Sequence, residues 1–352
     1  MQETNDIVIP EIGEVSSIDD IVMNYVNHDL TKGLSIGVYN RGQETYYNYG
    51  ISSDDHPVPP TKQSVYEIAS ITKTFTAAIL AQMVSDGKVD YDDPISMYLP
   101  EGVVHWSDSL AMTLEELATH KSGLPRLPYN HILKAFYHMD NPYKNYTEDD
   151  LYSFFTYFEP MRKQDRKVEY SNLGAGLLGN ILAQVAGISY RELVDQYILN
   201  PLGMEHSYVG YREDNQMVGH NGYGDITPGW EKQTLEGAGS IRSTTEDLMK
   251  YLIANVNSEQ PYAETHAPRE DFKGFGQGTK IGLAWLTIYP KDSEIELVFH
   301  NGGSGGFRSA LLFSKEMDQG VVVLANSIQS VDAIGMRIMK YLRTQNEIVQ
   351  AH

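Results

Sequence analysis

The chain has 352 residues, a formal net charge of −20 at pH 7 and no cysteine, with 41% hydrophobic and 21% charged residues. This length and composition are typical of a folded protein built as one large α/β unit or two closely packed domains. The negative charge argues against nucleic acid and anionic membranes as partners, because clustered Lys and Arg are needed to neutralise phosphate groups, and we discard nucleic-acid binding. The absence of cysteine excludes disulfides and thiol catalysis.

The chain contains no run of about 18 apolar residues, so the sequence predicts no membrane span. The first residues, Met1 to Asp6, lack the basic and apolar regions of a secretory signal. Two locations stay open: the cytoplasm, or export to the periplasm or the extracellular space with the signal peptide replaced by Met1. We favour export. The sequence does not indicate an oligomeric state.

Hydrophobic periodicity predicts strands near both ends of the chain and helices between them. After a polar, peripheral segment at 1–15, residues 92–208 are mainly helical, with an irregular loop at 121–140 where prolines and aromatic residues disfavour regular structure. Thr244 opens another helix with a capping-box pattern. In chain order, the elements predicted outside the helical region are a helix at 18–28, a hairpin of strands 34–39 and 44–49, a helix from 70 to about 86, the helix after Thr244, strands at 281–288, 296–300, 309–313 and 320–324, and a helix at 331–343.

Short polar or glycine-rich turns join the late strands, which favours an antiparallel meander. Because strands come from both ends of the chain, we expect one antiparallel sheet flanked by helices, with an inserted, mainly helical region. The fold class is therefore α/β (α+β). We expect residues 1–90 and 209–352 to form the α/β sheet domain and residues 91–208 to form the helical domain.

A serine three residues before a lysine, Ser70-x-x-Lys73, starts a strongly apolar helical run. Residues i and i+3 share one face of a helix, with Cβ atoms about 5 to 6 Å apart, so the amine can reach the hydroxyl. Nucleophilic catalysis requires such a pair, and a helix N-terminus favours a developing oxyanion. The alternative is that Ser70 only caps the helix. A second copy, Ser85 to Lys88, lies at a helix end beside Gly87, where a solvated cap is expected.

Two further short motifs occur in several copies. The Tyr-x-Asn and His-x-Gly copies begin at Tyr25, Tyr46, Tyr143, Tyr170, His220 and His300. Tyr170-Ser171-Asn172 lies on a loop before an apolar helix. His300-Asn301-Gly302 ends an apolar strand and enters a run of glycines, which lets backbone N–H groups approach a ligand closely. We expect His220 to be structural or exposed.

The glycines at 174, 176 and 179 fit the G-x-G-x-x-G pattern of dinucleotide-binding proteins. That pattern must follow a buried strand, whereas residues 166–169 are mostly charged and the glycines fall within a helical run. Close helix packing is the better interpretation. Neither a metal-ligand signature nor a Walker-type loop is present in the sequence. We therefore predict no metal and no cofactor.

Taken in order, the motifs at Ser70, Tyr170 and His300 resemble the three active-site elements of serine β-lactamases and penicillin-binding proteins. Tyrosine in the second element is similar to the branch of class C β-lactamases and DD-peptidases, which also includes esterases and D-amino-acid peptidases. Stretches 119–125, 200–204 and 237–240 are family-like as well. The resemblance extends from about residue 34 to residue 326. It implies a β-lactamase/transpeptidase-like fold with the active site at the junction of the two domains.

The resemblance also implies roles for individual residues. Ser70 would attack a carbonyl and form an acyl-enzyme, while Lys73 and Tyr170 would share the proton transfers. This requires either a neutral Lys73 or an ionised Tyr170, and the sequence does not decide which of them is the base. The N–H groups of Ser70 and Gly303 would form an oxyanion hole. Asn172 would bind the substrate amide and help to position Lys73.

The third element departs from the class C pattern, which usually has lysine where this chain has His300. A neutral histidine can hydrogen-bond to Tyr170, but it offers no permanent charge for a substrate carboxylate. Arg308, six residues after Gly302, is a candidate for that charge, with a surface arginine as the alternative.

Three functions are therefore compared. The first is a serine hydrolase of β-lactam or D-alanyl peptide amides. The second is a carboxylesterase on the same scaffold, indicated by His300 and by the aromatic loop at 129–146. The third, less favoured, is a non-catalytic binding protein. In each case the expected partner is a small-molecule or peptide ligand.

Overall fold

The computed structural model describes residues 17–26, 31–212, 216–274, 278–289 and 296–350. The predicted polar segment at 1–15 lies outside the described residues. The helices are α1 (Ile18–Val26), α2 (Thr72–Ser85), α3 (Leu114–Ala118), α4 (Tyr129–Phe136), α5 (Glu148–Tyr157), α6 (Asn172–Ala186), α7 (Tyr190–Val194), α8 (Asn200–Leu202), α9 (Thr245–Val256), α10 (Tyr262–Thr265) and α11 (Asp332–Gln350). The strands are β1 (Gly33–Asn40), β2 (Gln43–Gly50), β3 (Tyr66–Glu67), β4 (Tyr208–Val209), β5 (Gly219–His220), β6 (Ile226–Thr227), β7 (Ile241–Ser243), β8 (Glu270–Asp271), β9 (Lys280–Ile281), β10 (Leu286–Ile288), β11 (Leu297–Gly303), β12 (Arg308–Ser314) and β13 (Gln319–Ala325).

An eight-stranded antiparallel sheet, in the order β2-β1-β13-β12-β11-β10-β9-β8, forms the centre of the fold. The predicted hairpin is present as β1 and β2. Its turn residues, Arg41 and Gly42, have φ values of 50° and 84°, as a two-residue hairpin turn of the primed type requires. β1 pairs with β13, so strands from both ends of the chain share one sheet, and the predicted fold class is confirmed.

Helices cover both faces of this sheet. Along β13, Val322 and Leu324 point into the core that contains α2 and α9, whereas Val321 and Val323 point into the core with α1 and α11. Side chains of a strand alternate between faces, so a strand covered on both sides becomes apolar along its whole length. The sheet is thus the middle layer of three, and α2 is buried between it and the helical region.

The predicted strand at 281–288 is interrupted after β9, and Ala284 adopts a left-handed φ of 64°. The N–H of Ala284 donates to Ala118 O (2.9 Å) at the end of α3, and the N–H of Leu283 donates to Thr265 O (2.9 Å) at the end of α10. Helix ends therefore take hydrogen bonds that a continuous strand would have used, and the sheet resumes only at β10.

The loop predicted at 121–140 contains helix α4, which begins after Pro128. Proline lacks an N–H and is tolerated before the first turn of a helix. Asn130 donates to Asp150 O (2.7 Å), and Lys134 pairs with the Asp150 carboxylate (2.5 Å). These tertiary contacts with α5 stabilise a helix that the local sequence disfavours.

The capping box predicted at Thr244 is only half formed. Its hydroxyl accepts from the N–H of Asp247 (3.0 Å), but the Asp247 carboxylate accepts from the N–H of His206 (2.8 Å) and the hydroxyl of Ser207 (2.9 Å). Asp247 therefore connects α9 to the segment before β4 instead of returning to its own N-cap.

The glycine run at 174–179 lies within α6, as the packing interpretation requires. A Cβ at Gly176 would lie 2.6 Å from a Leu235 methyl carbon, and one at Gly179 would lie 3.0 Å from the Gly237 Cα atom. The glycines let α6 approach the 235–237 segment at backbone distance.

The strands of the large sheet all come from outside residues 91–208. The division into a sheet domain and a helical domain stays a prediction. In the described residues, no single helix is long and apolar enough to cross a membrane; α6 and the 190–202 helical segment reach that length only as a pair, bent by 84°.

A buried ion pair fixes the chain that leads to Tyr170. Arg166 pairs with Glu116 at 2.8 Å, and their side chains are 0% and 7% exposed. We expect Glu116→Gln to lower the free energy of unfolding by about 3 kcal/mol, because it leaves a buried guanidinium without its carboxylate. Urea unfolding measures this change.

The matched control is Asp165→Asn, which breaks the exposed pair of Arg162 and Asp165 (2.8 Å). An exposed pair contributes less than about 1 kcal/mol. Equal losses in the two variants would contradict the importance of burial.

Candidate active site

Ser70 lies in a single 3-10 turn, Ala69–Ile71, immediately before α2. Ala69 has a left-handed φ of 45°, a conformation that costs a non-glycine residue about 1 to 2 kcal/mol. The turn is tied to the sheet, because the Ser309 hydroxyl donates to Ile68 O (2.8 Å). Ser70 is therefore placed just before the helix by a strained turn, not on the helix itself, and its side chain is partly exposed.

Lys73 is 1% exposed, and its Nζ lies 3.1 Å from Ser70 Oγ and 2.6 Å from Ala238 O. Burial lowers the pKa of Lys73 well below its usual range, and the nearby charges of Lys232 and Arg126 lower it further. A cation that is buried among other cations loses its proton readily. Burial thus favours the neutral form of the amine that lies beside the serine hydroxyl.

Tyr170 is half-buried, with its hydroxyl paired with the side chain of Ser70. Burial raises the pKa of Tyr170, and the Arg126 guanidinium, 5.2 Å from the ring centre, opposes this rise only in part. The Lys73 Nζ lies 4.8 Å from the same ring centre. Of the two protonation states required by the resemblance, burial favours a neutral Lys73 over an ionised Tyr170.

His300 lies on β11 and is 3% exposed. Its Nδ1 is 2.7 Å from Asn301 O. Since a carbonyl oxygen only accepts, Nδ1 carries the proton and Nε2 keeps a lone pair. Burial, together with the charge of Lys73, lowers the pKa of His300 to about 3. His300 is therefore neutral at ordinary pH and contributes no positive charge.

Gly302 brings β11 against the turn that carries Ser70. A Cβ at this position would lie 2.2 Å from Ile68 O and 2.9 Å from the Ser70 nitrogen. The space gained by the missing side chain is filled by protein backbone, whereas the sequence had suggested an approach to a ligand. The next residue, Gly303, lines a pocket together with Ser70.

Asn172 is the first residue of α6 and lines the same pocket. Its Nδ2 donates to the Tyr143 hydroxyl (3.0 Å), while its Oδ1 has no hydrogen-bond partner among the described residues. A buried acceptor without a partner is costly, and a substrate N–H would satisfy it. Tyr143 begins one of the other Tyr-x-Asn copies of the sequence.

The pocket beside Ser70 has a volume of about 330 Å³. Its wall is mostly apolar and is formed by Leu127, Ile132, Ala135, Pro142, Tyr143 and Trp230. A larger groove of about 1260 Å³ is lined in part by Tyr170, and Arg126 lines both the pocket and the groove. Ser70 thus stands beside a mostly apolar pocket that one arginine borders.

A family model described as Beta-lactamase matches residues 18–338, which is most of the chain. The chain belongs to the β-lactamase family. It is 26% identical to a β-lactamase of Pseudomonas fluorescens over 88% of this chain and 92% of that one. It is also 26% identical to the D-alanyl-D-alanine-carboxypeptidase/endopeptidase AmpH of Escherichia coli K12 over 89% and 85%.

The solved structure of a class C β-lactamase superposes with a TM-score of 0.78 at 24% identity, covering 92% of this chain and 94% of that chain. This likeness shows the β-lactamase/transpeptidase-like fold that the motifs implied. Family membership makes the protein a serine hydrolase of the β-lactamase and DD-peptidase type.

Arg308 is not brought to the pocket of this β-lactamase-family hydrolase. Its Nη1 donates to Ser304 O (2.9 Å) and Phe307 O (2.8 Å), and its guanidinium packs against Gly303 on the face of the sheet where Asp332 lies. Alternate residues of a strand face opposite sides. Since Gly302 faces Ser70, the side of Gly303 that Arg308 covers is the far one, and the suggested charge for a substrate carboxylate is absent from that position.

Two residues of the site were missed by the sequence interpretation. His120 packs on Tyr170 with ring centres 4.6 Å apart, and its Nδ1 accepts from the N–H of Ser171 (3.2 Å). The family-like stretch at 119–125 was a signal that could have found it. Lys232 lines the pocket and is 6% exposed. It stands in a polar segment without any motif, so no signal in the sequence pointed to it.

We expect the phosphonylation of Ser70 by a fluorophosphonate to slow as the pH falls through the lowered pKa of Lys73, because only the neutral amine accepts the serine proton. Arg126→Met removes a positive charge that disfavours protonated Lys73. The pKa of Lys73 then rises, and the acid limb of the rate profile moves to higher pH. Labelling rates between about pH 5 and pH 10 measure this shift.

The control variant is Arg162→Met, which removes an exposed arginine paired with Asp165. Its profile should match that of the unmodified protein. A limb that moves to lower pH in Arg126→Met, or does not move, would contradict the prediction that Lys73 accepts the serine proton.

Proposed function

We infer that this protein hydrolyses β-lactam or D-alanyl peptide amides through an acyl-enzyme on Ser70. The two relatives are named for these two activities, β-lactamase and D-alanyl-D-alanine carboxypeptidase. The observation that carries the proposal is the buried Lys73 amine, 3.1 Å from the Ser70 hydroxyl. A D-alanyl peptide of the cell wall lies outside the cytoplasm, so export forms part of the proposal.

In the acylation step, Ser70 Oγ bonds to the substrate carbonyl carbon while its proton passes to Lys73. The N–H groups of Ser70 and Gly303 would bind the oxyanion, an interaction worth about 3 to 4 kcal/mol per donor. The C–N bond then breaks, and the leaving nitrogen receives the proton from Lys73 through the Tyr170 hydroxyl. In deacylation, a water oxygen bonds to the acyl carbon while one water proton passes to Lys73. The bond between the acyl carbon and Ser70 Oγ then breaks, Ser70 Oγ receives that proton from Lys73, and the product leaves as a carboxylic acid.

The unpartnered Oδ1 of Asn172 supports an amide substrate, since it can accept a hydrogen bond from the N–H of the acyl side chain. An ester acyl chain without an N–H would leave this acceptor unpaired, and that mismatch costs about 1 to 3 kcal/mol. The acceptor therefore favours amide-bearing acyl groups within the same pocket.

Intact-mass measurement after incubation with a penicillin tests this function. We expect one penicilloyl adduct on the unmodified protein and none on Ser70→Ala. Ser85→Ala removes the serine of the rival Ser-x-x-Lys copy, at the end of α2, and should retain the adduct. An adduct on Ser70→Ala, or the absence of both adduct and turnover in the unmodified protein, would refute the proposal.

A carboxylesterase is the second candidate, because the pocket wall is largely apolar and His300 is neutral. Neither feature requires a charged substrate. Hydrolysis of p-nitrophenyl butyrate compared with a chromogenic cephalosporin distinguishes the two functions. If the ester has a kcat/KM more than about 100-fold higher, and Ser70→Ala abolishes it, the esterase is the better description.

A further inference from the structure

Lys232 is a buried cation inside the substrate pocket. It is 6% exposed, and its Nζ donates to Gly239 O (3.0 Å). The ring centres of Tyr143 and Trp230 lie 4.9 Å and 5.0 Å from the same Nζ. Two aromatic faces and one carbonyl therefore stabilise the ammonium group while it lines the pocket beside Ser70.

The surroundings of Lys232 are fixed by hydrogen bonds. The backbone N–H of Trp230 donates to the Glu67 carboxylate (2.8 Å), and its ring N–H donates to Asp140 O (3.1 Å). The next residue, Glu231, donates its backbone N–H to Asn141 Oδ1 (3.0 Å). The backbone and the ring of Trp230 are thus held by two separate segments, and the site is preformed.

No carboxylate of the described residues lies within ion-pair distance of Lys232. Glu67, the carboxylate whose charge acts on Lys232, already pairs with Arg242 (2.7 Å). Glu231, the preceding residue, pairs with Lys144 (3.0 Å). A buried ion without a counter-ion is costly. Burial lowers the pKa of Lys232 only to about 8, so the group still carries its charge at neutral pH.

The position of Asn172 indicates which part of the substrate meets Lys232. In the proposed mechanism, its unpartnered Oδ1 accepts a hydrogen bond from the N–H of the acyl side chain. Asn172 and Lys232 line the same pocket beside Ser70. That pocket therefore takes the acyl side of the substrate.

We propose that Lys232 forms an anion subsite that binds a carboxylate carried by the acyl group of the substrate. The arm that connects this carboxylate to the reacting carbonyl would lie along the apolar wall, beside Leu127 and Ile132. The subsite supplies the charge that Arg308 does not provide and that His300 lacks. It rests on the proposed acyl transfer by Ser70 and narrows its substrates to acyl groups with an acidic end.

The test compares two p-nitrophenyl esters of equal length. One is the monoester of adipic acid, which ends in a carboxylate, and the other is the ester of adipamic acid, which ends in a neutral amide. Both are measured at about 0.15 M salt, which screens the net charge of the protein. We expect the unmodified protein to prefer the carboxylate ester by about 10- to 100-fold in kcat/KM. Lys232→Met should abolish the preference, and Lys232→Gln serves the same purpose if the Met variant does not fold. Because both esters use the same base, their ratio cancels any effect of the substitution on Lys73.

Arg308→Met is the matched control, since it removes a cation on the far face of the sheet and should keep the preference. A second pair, 3-carboxyphenyl butyrate and 3-carbamoylphenyl butyrate, moves the carboxylate to the leaving group. Three outcomes would overturn the proposal. The unmodified protein shows no preference, the preference survives in both Lys232 variants, or a preference that depends on Lys232 is found only with this second pair. Ser70→Ala tests the acyl transfer separately from the anion subsite. Loss of all hydrolysis in that variant supports acyl transfer by Ser70 even if Lys232 does not bind the carboxylate.

Discussion

The burial of a lysine amine against a serine hydroxyl is the constraint on which the active site depends. In water the amine of Lys73 would be protonated and unable to act as a base. Its position on α2, a helix buried nearly all round between the sheet and α6, removes the water that would stabilise the charge. The core that stabilises the fold is therefore also what lowers the pKa of the amine, because burial in it removes water from the charged group.

Much of the framework could be predicted because it depends on local or periodic signals. The β1–β2 hairpin and the β11–β13 meander are specified by short turns between strongly apolar strands. The nucleophile candidate was separated from its rival at Ser85 by the order of three motifs along the chain. The turns, the strands and each single motif can be read from the sequence because each is encoded within a few consecutive residues, and the order of the motifs is visible along the chain.

Features that depend on distant contacts could not be predicted. The break after β9 depends on carbonyls of Ala118 and Thr265, and helix α4 depends on Asp150. Arg308 was a candidate for the substrate carboxylate because it lies six residues after Gly302. The pleat of β12, which the sequence distance does not reveal, decides which face of the sheet Arg308 occupies. Lys232 acquires its importance from the Tyr143 ring, about 90 residues away, as Asn141 and Glu231 join the two segments. A single sequence carries no local trace of such pairings.

The close approach of Gly302 to the Ser70 turn divides the site into a part that cannot vary and a part that can. Any side chain at 302 would displace backbone atoms next to the nucleophile. The contact between β11 and the Ser70 turn therefore tolerates few substitutions. The walls come from α4, from the 140–143 loop and from the 230–239 segment, none of which contributes Ser70 or Lys73. New specificities in this scaffold should therefore be reached by exchanging wall segments, while the reaction centre is inherited unchanged.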